Sequence, residues 1–168
     1  MRIEKAATLI VASVFILLLL WLVVQILKPE PFPVGATMPV IYYAKENGLA
    51  KLRPDSTKKT AIMYFHRRCK SCLYEIQQFD SLLVALEGIK IIFLTSDRTL
   101  FKSNFRCQWP ALAAMNVEWG IVKKQEFKEA FGSVGVPYLY FFDERGVLYH
   151  KIRGEVRIER VVEVLNYN

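Results

Sequence analysis

The chain has 168 residues, which is enough for one domain and short for two. It carries 23 lysines and arginines against 16 aspartates and glutamates, for a net charge of +7, and 53% of its residues are hydrophobic. The excess of positive charge suits acidic lipid headgroups or an acidic protein. The cations are scattered along the chain, which disfavours nucleic acid as a partner.

The hydrophobic excess is concentrated near the N-terminus. Residues 6–27 form a run of 22 residues without a charge, and a helix of that length spans about 33 Å, enough to cross a bilayer. No A-x-A cleavage pattern follows the run, so we expect an uncleaved single-pass anchor in the cell membrane. Arg2 and Lys5 predict that residues 1–5 are cytoplasmic and that the remaining domain is extracytoplasmic, which means periplasmic in a Gram-negative cell.

The segment after the anchor contains four prolines in residues 28–39 and is predicted to form an extended stalk. Residues 40–168 are then the folded domain. At its start, short apolar runs at 40–43 and 49–52 flank the turn signal Asn47-Gly48, which predicts a small hairpin.

Apolar runs and periodicity predict the remaining elements in chain order. Buried strands are predicted at 60–65, 90–95, 116–122 and 138–142, with a final strand at 147–152 after a turn at 143–146. Helices are predicted from the cysteine pair at 69 and 72 to Gly88, from Asp97 to the neighbourhood of Cys107, at 124–131, and over the apolar positions from 156 to 165. Alternating strands and helices followed by a hairpin predict an α/β fold, with a mixed central sheet and helices on both faces.

Cys69 and Cys72 lie between the strand predicted at 60–65 and a predicted helix. A helix N-terminus offers unpaired N–H groups and a partial positive charge, which lower the pKa of the first thiol and favour its thiolate. Cys69 would then be the nucleophile, and Cys72 would resolve the mixed disulfide. The same spacing also fits half of a metal site or two cysteines that lie close by chance.

Four residues beside the pair are candidates for tuning its pKa. Arg67, Arg68 and Lys70 favour the Cys69 thiolate if their charges stay near the sulfur, and have little effect if they point to water. His66 either relays a proton or is incidental.

The sequence Ser133-Val-Gly-Val-Pro137 directly precedes the strand predicted at 138–142. Because proline cannot donate a hydrogen bond to a central sheet, its position here suggests that the peptide bond before it has cis geometry. The backbone before it, at Val136, is then a candidate binding site for an extended substrate.

These motifs, together with the Asp-Glu-Arg-Gly turn at 143–146, resemble the thioredoxin superfamily. Val-Gly-Ala-Thr-Met-Pro at 34–39, followed by Asn47-Gly48, is similar to the opening of the membrane-anchored TlpA/ResA-like thiol-disulfide oxidoreductases, so the resemblance covers about residues 34–165. It implies a thioredoxin-like fold, with Cys69 as attacking thiol, Cys72 as resolving thiol and Pro137 as a cis-proline facing them. We expect disulfide- or dithiol-containing protein partners, no cofactor and no bound metal. A membrane reductant that supplies electrons to the protein is a further candidate partner.

The sequence departs from the family pattern around the cysteine pair. Arg68 stands where a tryptophan commonly precedes the first cysteine, and the inner dipeptide is Lys-Ser. The strand predicted at 60–65 also lacks the buried acid that many relatives use to accept a proton from the second cysteine. These positions help to set the redox potential and the choice of partner.

Other functions compete with the redox interpretation. A copper-handling protein would use Cys69, Cys72 and a distant histidine such as His150, although copper-delivery relatives space their cysteines by three residues. A peroxidase function is disfavoured because the Pro-x-x-x-Thr-x-x-Cys arrangement of peroxiredoxins is missing around Cys69. A catalytically silent interaction domain is the last alternative.

Cys107 is predicted to be a buried core thiol, with a third redox thiol as the alternative.

Overall fold

The computed structural model describes residues 2–26, 30–81, 86, 88–102, 104–114 and 117–166, and the side chains of residues 2–12, 26 and 114 lie outside this description. The chain divides into two compact units, residues 1–30 and 31–168. The first unit contains the helix α1 (Arg2–Ile26), which overlaps the anchor predicted at 6–27; residue 27 is outside the described range. Within the described part of the chain, no helix combines the length and the apolar character needed to cross a membrane.

The second unit begins earlier than the boundary predicted at residue 40. Phe32 is 7% exposed and packs edge-on against Phe131, with ring centroids 5.2 Å apart. The N–H of Met38 donates to the carbonyl of Gly146 over 2.7 Å. Residues 31–39 therefore belong to the domain instead of forming a stalk, because a buried aromatic ring and backbone hydrogen bonds hold them against it.

One sheet organises the second unit. Its described strands are β1 (Tyr42–Lys45), β2 (Gly48–Lys51), β3 (Thr60–Tyr64), β4 (Lys90–Thr95), β5 (Glu118–Ile121), β6 (Tyr138–Phe142) and β7 (Leu148–Arg153), in the order β2-β1-β5-β4-β3-β6-β7. The predicted hairpin is β1 and β2. β3, β4 and β5 run parallel, and β6 runs antiparallel to β3 with Tyr138 opposite Tyr64. The carboxyl ends of β3, β4 and β5 therefore share one edge of the sheet with the beginning of β6.

Helices cover both faces of this sheet, as predicted. They are α2 (Lys70–Ser81), α3 (Pro110–Ala114), α4 (Lys124–Phe131) and α5 (Ile158–Asn166). Side chains alternate along β3, so Met63 faces a cluster that includes Phe79 of α2 and Val161 of α5, whereas Ile62 faces a cluster that includes Phe127 of α4. Because β3 is buried on both faces, the residue that follows it is held in a fixed position.

The helix predicted from Asp97 to the neighbourhood of Cys107 is absent from the described residues. Two short 3-10 helices, Leu100–Lys102 and Arg106–Gln108, precede α3. Leu100 and Phe105 are both buried but five residues apart, so they would lie on different sides of one α-helix. Burial of both side chains therefore takes precedence over the capping signal at Asp97.

Candidate active site

The cysteine pair lies in the turn between β3 and α2. The N–H of Cys69 donates to the carbonyl of His66 over 2.9 Å and closes this turn. α2 begins at the next residue, so Cys69 occupies the N-cap position of the helix. The sulfurs of Cys69 and Cys72 are bonded, and the two Cα atoms are 5.2 Å apart. The chain thus presents an intramolecular disulfide at the start of a helix.

The first turn of α2 is directed at the Cys69 sulfur. The N–H of Cys72 donates to Sγ of Cys69 over 3.1 Å, and the N–H of Leu73 donates to the Cys69 carbonyl over 3.1 Å. An N-cap side chain accepts such a bond from an otherwise unpaired helix N–H. When the disulfide is reduced, the same N–H and the positive end of the helix favour a thiolate at Cys69.

The two sulfurs differ in accessibility. Cys72 is 0% exposed, whereas Cys69 is only partly buried. Solvent can therefore reach Cys69, while Cys72 is protected by the helix and the core. This asymmetry is what an attacking thiol and a resolving thiol require.

Pro137 and Val136 lie at the same edge of the sheet as the disulfide. Pro137 directly precedes β6, whose first residue, Tyr138, pairs with Tyr64 at the end of β3. The peptide bond between Val136 and Pro137 is cis, and Pro137 is buried while Val136 is exposed. The topology therefore brings the predicted substrate-binding residues to the edge that carries Cys69.

The four residues predicted to tune the pair have different surroundings. Arg67 donates from Nε to Oδ2 of Asp97 over 2.6 Å and also contacts the Thr99 hydroxyl. His66 accepts a hydrogen bond at Nδ1 from the backbone N–H of Arg68 over 3.1 Å. The side chains of Arg68 and Lys70 are exposed to solvent.

Asp97 connects the loop after β4 to the cysteine loop. Burial by itself raises the pKa of Asp97, but hydrogen bonds from Thr99 and Arg67 together with the Arg67 charge lower it to about 2. The carboxylate is thus ionised at every physiological pH and stays paired with the guanidinium. The pair fixes Arg67, whose guanidinium also lies 5.7 Å from the centroid of the Phe105 ring.

Glu75 is a candidate residue that the sequence interpretation missed. It lies one turn beyond Cys72 on α2 and is 2% exposed. Its Oε1 accepts a hydrogen bond from the N–H of Val156 over 2.9 Å, and among the described residues its Oε2 has no partner. Burial raises the pKa of Glu75 to about 7, so this carboxyl can hold or release a proton near neutral pH. The signal in the sequence is an acid within the apolar stripe of a predicted helix.

The remaining candidates lie away from this site. Cys107 is exposed, so its prediction as a core thiol is wrong; its segment buries the neighbouring Phe105 and Trp109 instead. His150 pairs with Phe141, which is opposite Ala61 near the start of β3, so it lies towards the other end of the sheet from the disulfide. No group of three or more His, Cys, Asp or Glu side chains suited to a metal ion occurs among the described residues.

Comparisons with known proteins agree with the fold. No protein-family model matches the chain, and no curated protein matches it. The chain is similar to the crystal structure of a peroxiredoxin-like protein from Aquifex aeolicus, with a TM-score of 0.67 and 15% identity over 82% of this chain and 88% of that one. It is also similar to a thiol:disulfide interchange protein from Bacteroides sp., with a TM-score of 0.62 and 18% identity over 82% and 93% of the two chains.

A third solved structure, StoA from Bacillus subtilis, has a TM-score of 0.54 and 18% identity over 80% of this chain and 98% of that one. At these identities the similarity establishes the fold. The chain therefore has a thioredoxin-like fold, with a disulfide-bonded Cys69 and Cys72 at the start of its first domain helix.

Proposed function

We propose that this protein is a thiol-disulfide oxidoreductase of the TlpA/ResA-like kind, which exchanges or reduces disulfides in partner proteins. The observation that carries this proposal is the disulfide between Cys69, partly exposed at the N-cap of α2, and Cys72, buried one turn later. Val136 and Pro137 on the same edge are the proposed contact for the backbone of the partner.

The reaction begins with the reduced pair. The Cys69 thiolate attacks one sulfur of a partner disulfide, forms a mixed disulfide, and releases the other partner sulfur as a thiolate. Cys72 then loses its proton and attacks Sγ of Cys69, which releases the second partner thiol and leaves the Cys69–Cys72 disulfide. Two electrons pass to the partner, and a separate dithiol donor, such as a membrane reductant, must reduce the pair for a further cycle.

Glu75 is the proposed acceptor for the Cys72 proton. It lies one helical turn from Cys72, is buried, and has a pKa raised by burial to about 7. A group of this pKa takes up a proton near neutral pH and releases it again. Glu75 would thus take the place of the buried acid that is missing from β3 as the group that accepts this proton.

We further propose that residues 6–27 anchor the protein in the cell membrane, with the domain outside the cytoplasm. The support is the uncharged run of 22 residues and the exposed apolar side chains of residues 14–24. Substituting Leu17→Lys together with Leu20→Lys should release the chain from carbonate-washed membranes, because each charge at mid-span costs about 3 kcal/mol. Retention of the doubly charged chain in the washed membranes would argue against the anchor.

The activity is tested with the full chain in neutral detergent, by dithiothreitol-driven reduction of insulin. Cys69→Ser should abolish turnover, and Cys72→Ser should accumulate the mixed disulfide because the resolving thiol is missing. Cys107→Ser is the matched control and should keep full turnover. Turnover that survives Cys69→Ser would contradict the proposal, as would stoichiometric copper binding without thiol turnover, which would favour the metal-handling alternative.

A further inference from the structure

A groove of about 870 Å³ opens at the end of the sheet where the candidate active site lies. Its wall includes Ser96, directly after β4, and Ile121 and Val122, at the end of β5. These positions lie on the sheet edge that also carries Cys69, because β3, β4 and β5 are parallel. The groove and the disulfide therefore lie at the same end of the sheet.

The floor of this groove is apolar and open to solvent. Tyr42 of β1 and Leu49 of β2 are 53% and 72% exposed, and Ala44 pairs with both Leu49 and Ile121. These side chains form a continuous strip across three strands. This strip offers apolar contact area for a side chain of a bound segment.

The rim of the groove is mainly basic. Among the described lining residues, Arg98, Lys123 and Lys124 are cations, and Glu126 is the only carboxylate. Glu126 already pairs with Lys123 over 3.2 Å, whereas Arg98 and Lys124 are exposed. The rim therefore presents a positive charge that an acidic ligand would complement.

The loop after β4 links this rim to the cysteine loop. Asp97 pairs with Arg67, two residues before Cys69, and the next residue along the chain is Arg98 on the rim. Two strand spacings, about 10 Å, separate the ends of β3 and β5. An extended chain covers that distance in about three to four residues.

We propose that this groove docks an extended, acidic segment of the disulfide-bearing partner protein. This inference rests on the proposed function and names the class of partner. The segment lies about three to six residues from the partner cysteine that Cys69 attacks, with carboxylates towards Arg98 and Lys124 and an apolar side chain over Tyr42 and Leu49.

The probe is a synthetic peptide with one cysteine held as a mixed disulfide with thionitrobenzoate. Glu-Leu-Glu is centred about four residues from that cysteine, on either side in two versions, and matched peptides carry Lys-Leu-Lys. The reduced full chain, in neutral detergent, attacks the peptide sulfur and releases coloured thionitrobenzoate. We expect a second-order rate constant at least about tenfold higher for the better acidic peptide than for its lysine counterpart, with most of the difference lost at about 1 M salt.

Three variants locate this effect in the groove. Arg98→Glu and Lys124→Glu should each reduce the rate with the acidic peptide about fivefold, and Leu49→Ser about twofold, while rates with the lysine peptides do not fall. Lys58→Glu makes the same charge change at an exposed site before β3, at the other end of the sheet, and should leave all rates unchanged.

The outcomes separate this inference from the proposed function. If the reduced chain releases no thionitrobenzoate from any peptide, the proposed function fails. If it reacts but Lys58→Glu and Lys124→Glu behave alike, only the docking inference fails. It also fails if Arg98→Glu and Lys124→Glu abolish a preference of the chain for anionic over neutral lipid vesicles without changing the peptide rates, because the groove would then bind lipid headgroups.

Discussion

Two segments leave the same edge of the sheet, one after β3 and one after β4, and they fold differently. After β3, Cys69 caps the regular helix α2, which buries Cys72, Ile76 and Phe79. After β4, Asp97 accepts hydrogen bonds from Thr99 in a similar manner, yet only short 3-10 helices follow. A capping residue at the end of a buried strand therefore does not by itself determine a helix.

The spacing of the buried side chains explains the difference. In α2 the buried positions recur every three or four residues and form one stripe. In the other segment the buried residues are Leu100, Phe105 and Trp109, which do not form one stripe. As a result one segment buries a cysteine and the other exposes Cys107. Only the first segment offers a protected resolving thiol.

The largest expected effect concerns Phe105, the buried ring that holds the segment after β4 against the core. The Phe105 ring is buried 5.9 Å from that of Phe65 and 4.6 Å from that of Trp109. Phe105→Ala should lower the free energy of unfolding by about 3–5 kcal/mol because it leaves a cavity among these rings. Phe101→Ala, in the same segment but half-buried, should cost about 1–2 kcal/mol. Equal losses in urea denaturation would show that Phe105 does not anchor the segment.

Glu75 provides the second test, within α2. Because burial raises its pKa from 4.5 to about 7, the unfolded chain ionises first, and the stability of the oxidised protein should fall as pH rises between these values. Glu75→Gln removes this fall and should be more stable than the unchanged protein by up to about 3 kcal/mol at pH 8, with no such gain at pH 4.

Denaturation of the oxidised chain at pH 4 and pH 8 measures the effect of Glu75→Gln. Glu129→Gln, an exposed substitution on α4, is the control and should keep the normal pH dependence. An unchanged pH dependence in Glu75→Gln would mean that Glu75 ionises alike in the folded and unfolded chains.

The smallest expected effect concerns the link between the two segments. The side chains of Arg67 and Asp97 are 25% and 15% exposed, so their ion pair is partly shielded from solvent. Arg67→Gln should cost about 1–2 kcal/mol at pH 7, and the adjacent Arg68→Gln, at an exposed position, less than about 0.5 kcal/mol.

The pH dependence of the link has a definite sign. The pKa of Asp97 is lowered from 3.8 to about 2, so its stabilisation is complete above about pH 4 and is lost as pH falls through 2. The difference between Arg67→Gln and the unchanged chain should therefore shrink in acid. Equal costs for the two arginine substitutions at pH 7 would show that the ion pair contributes nothing.

Much of the fold and part of the site could be predicted from local sequence patterns. The buried strand before Cys69, the proline before β6 and the glycine that ends α4 each act within a few residues; Gly132, for example, has a φ of 73° that glycine adopts without strain. The hydrogen bond that Glu75 accepts could not be assigned in this way, because its donor, the N–H of Val156, lies 81 residues away.

The sequence by itself determined the order of the strands and of the helices α2, α4 and α5, the position of the cysteine pair at a helix start and the proline-headed strand, because periodicity and backbone preferences are local. The tertiary structure decided that residues 31–39 pack on the domain, that Cys107 is exposed, and that Arg67 turns to Asp97 across 30 residues. Those outcomes depend on which surfaces meet once the sheet has formed, and a side chain is buried or paired only when distant segments supply the partner.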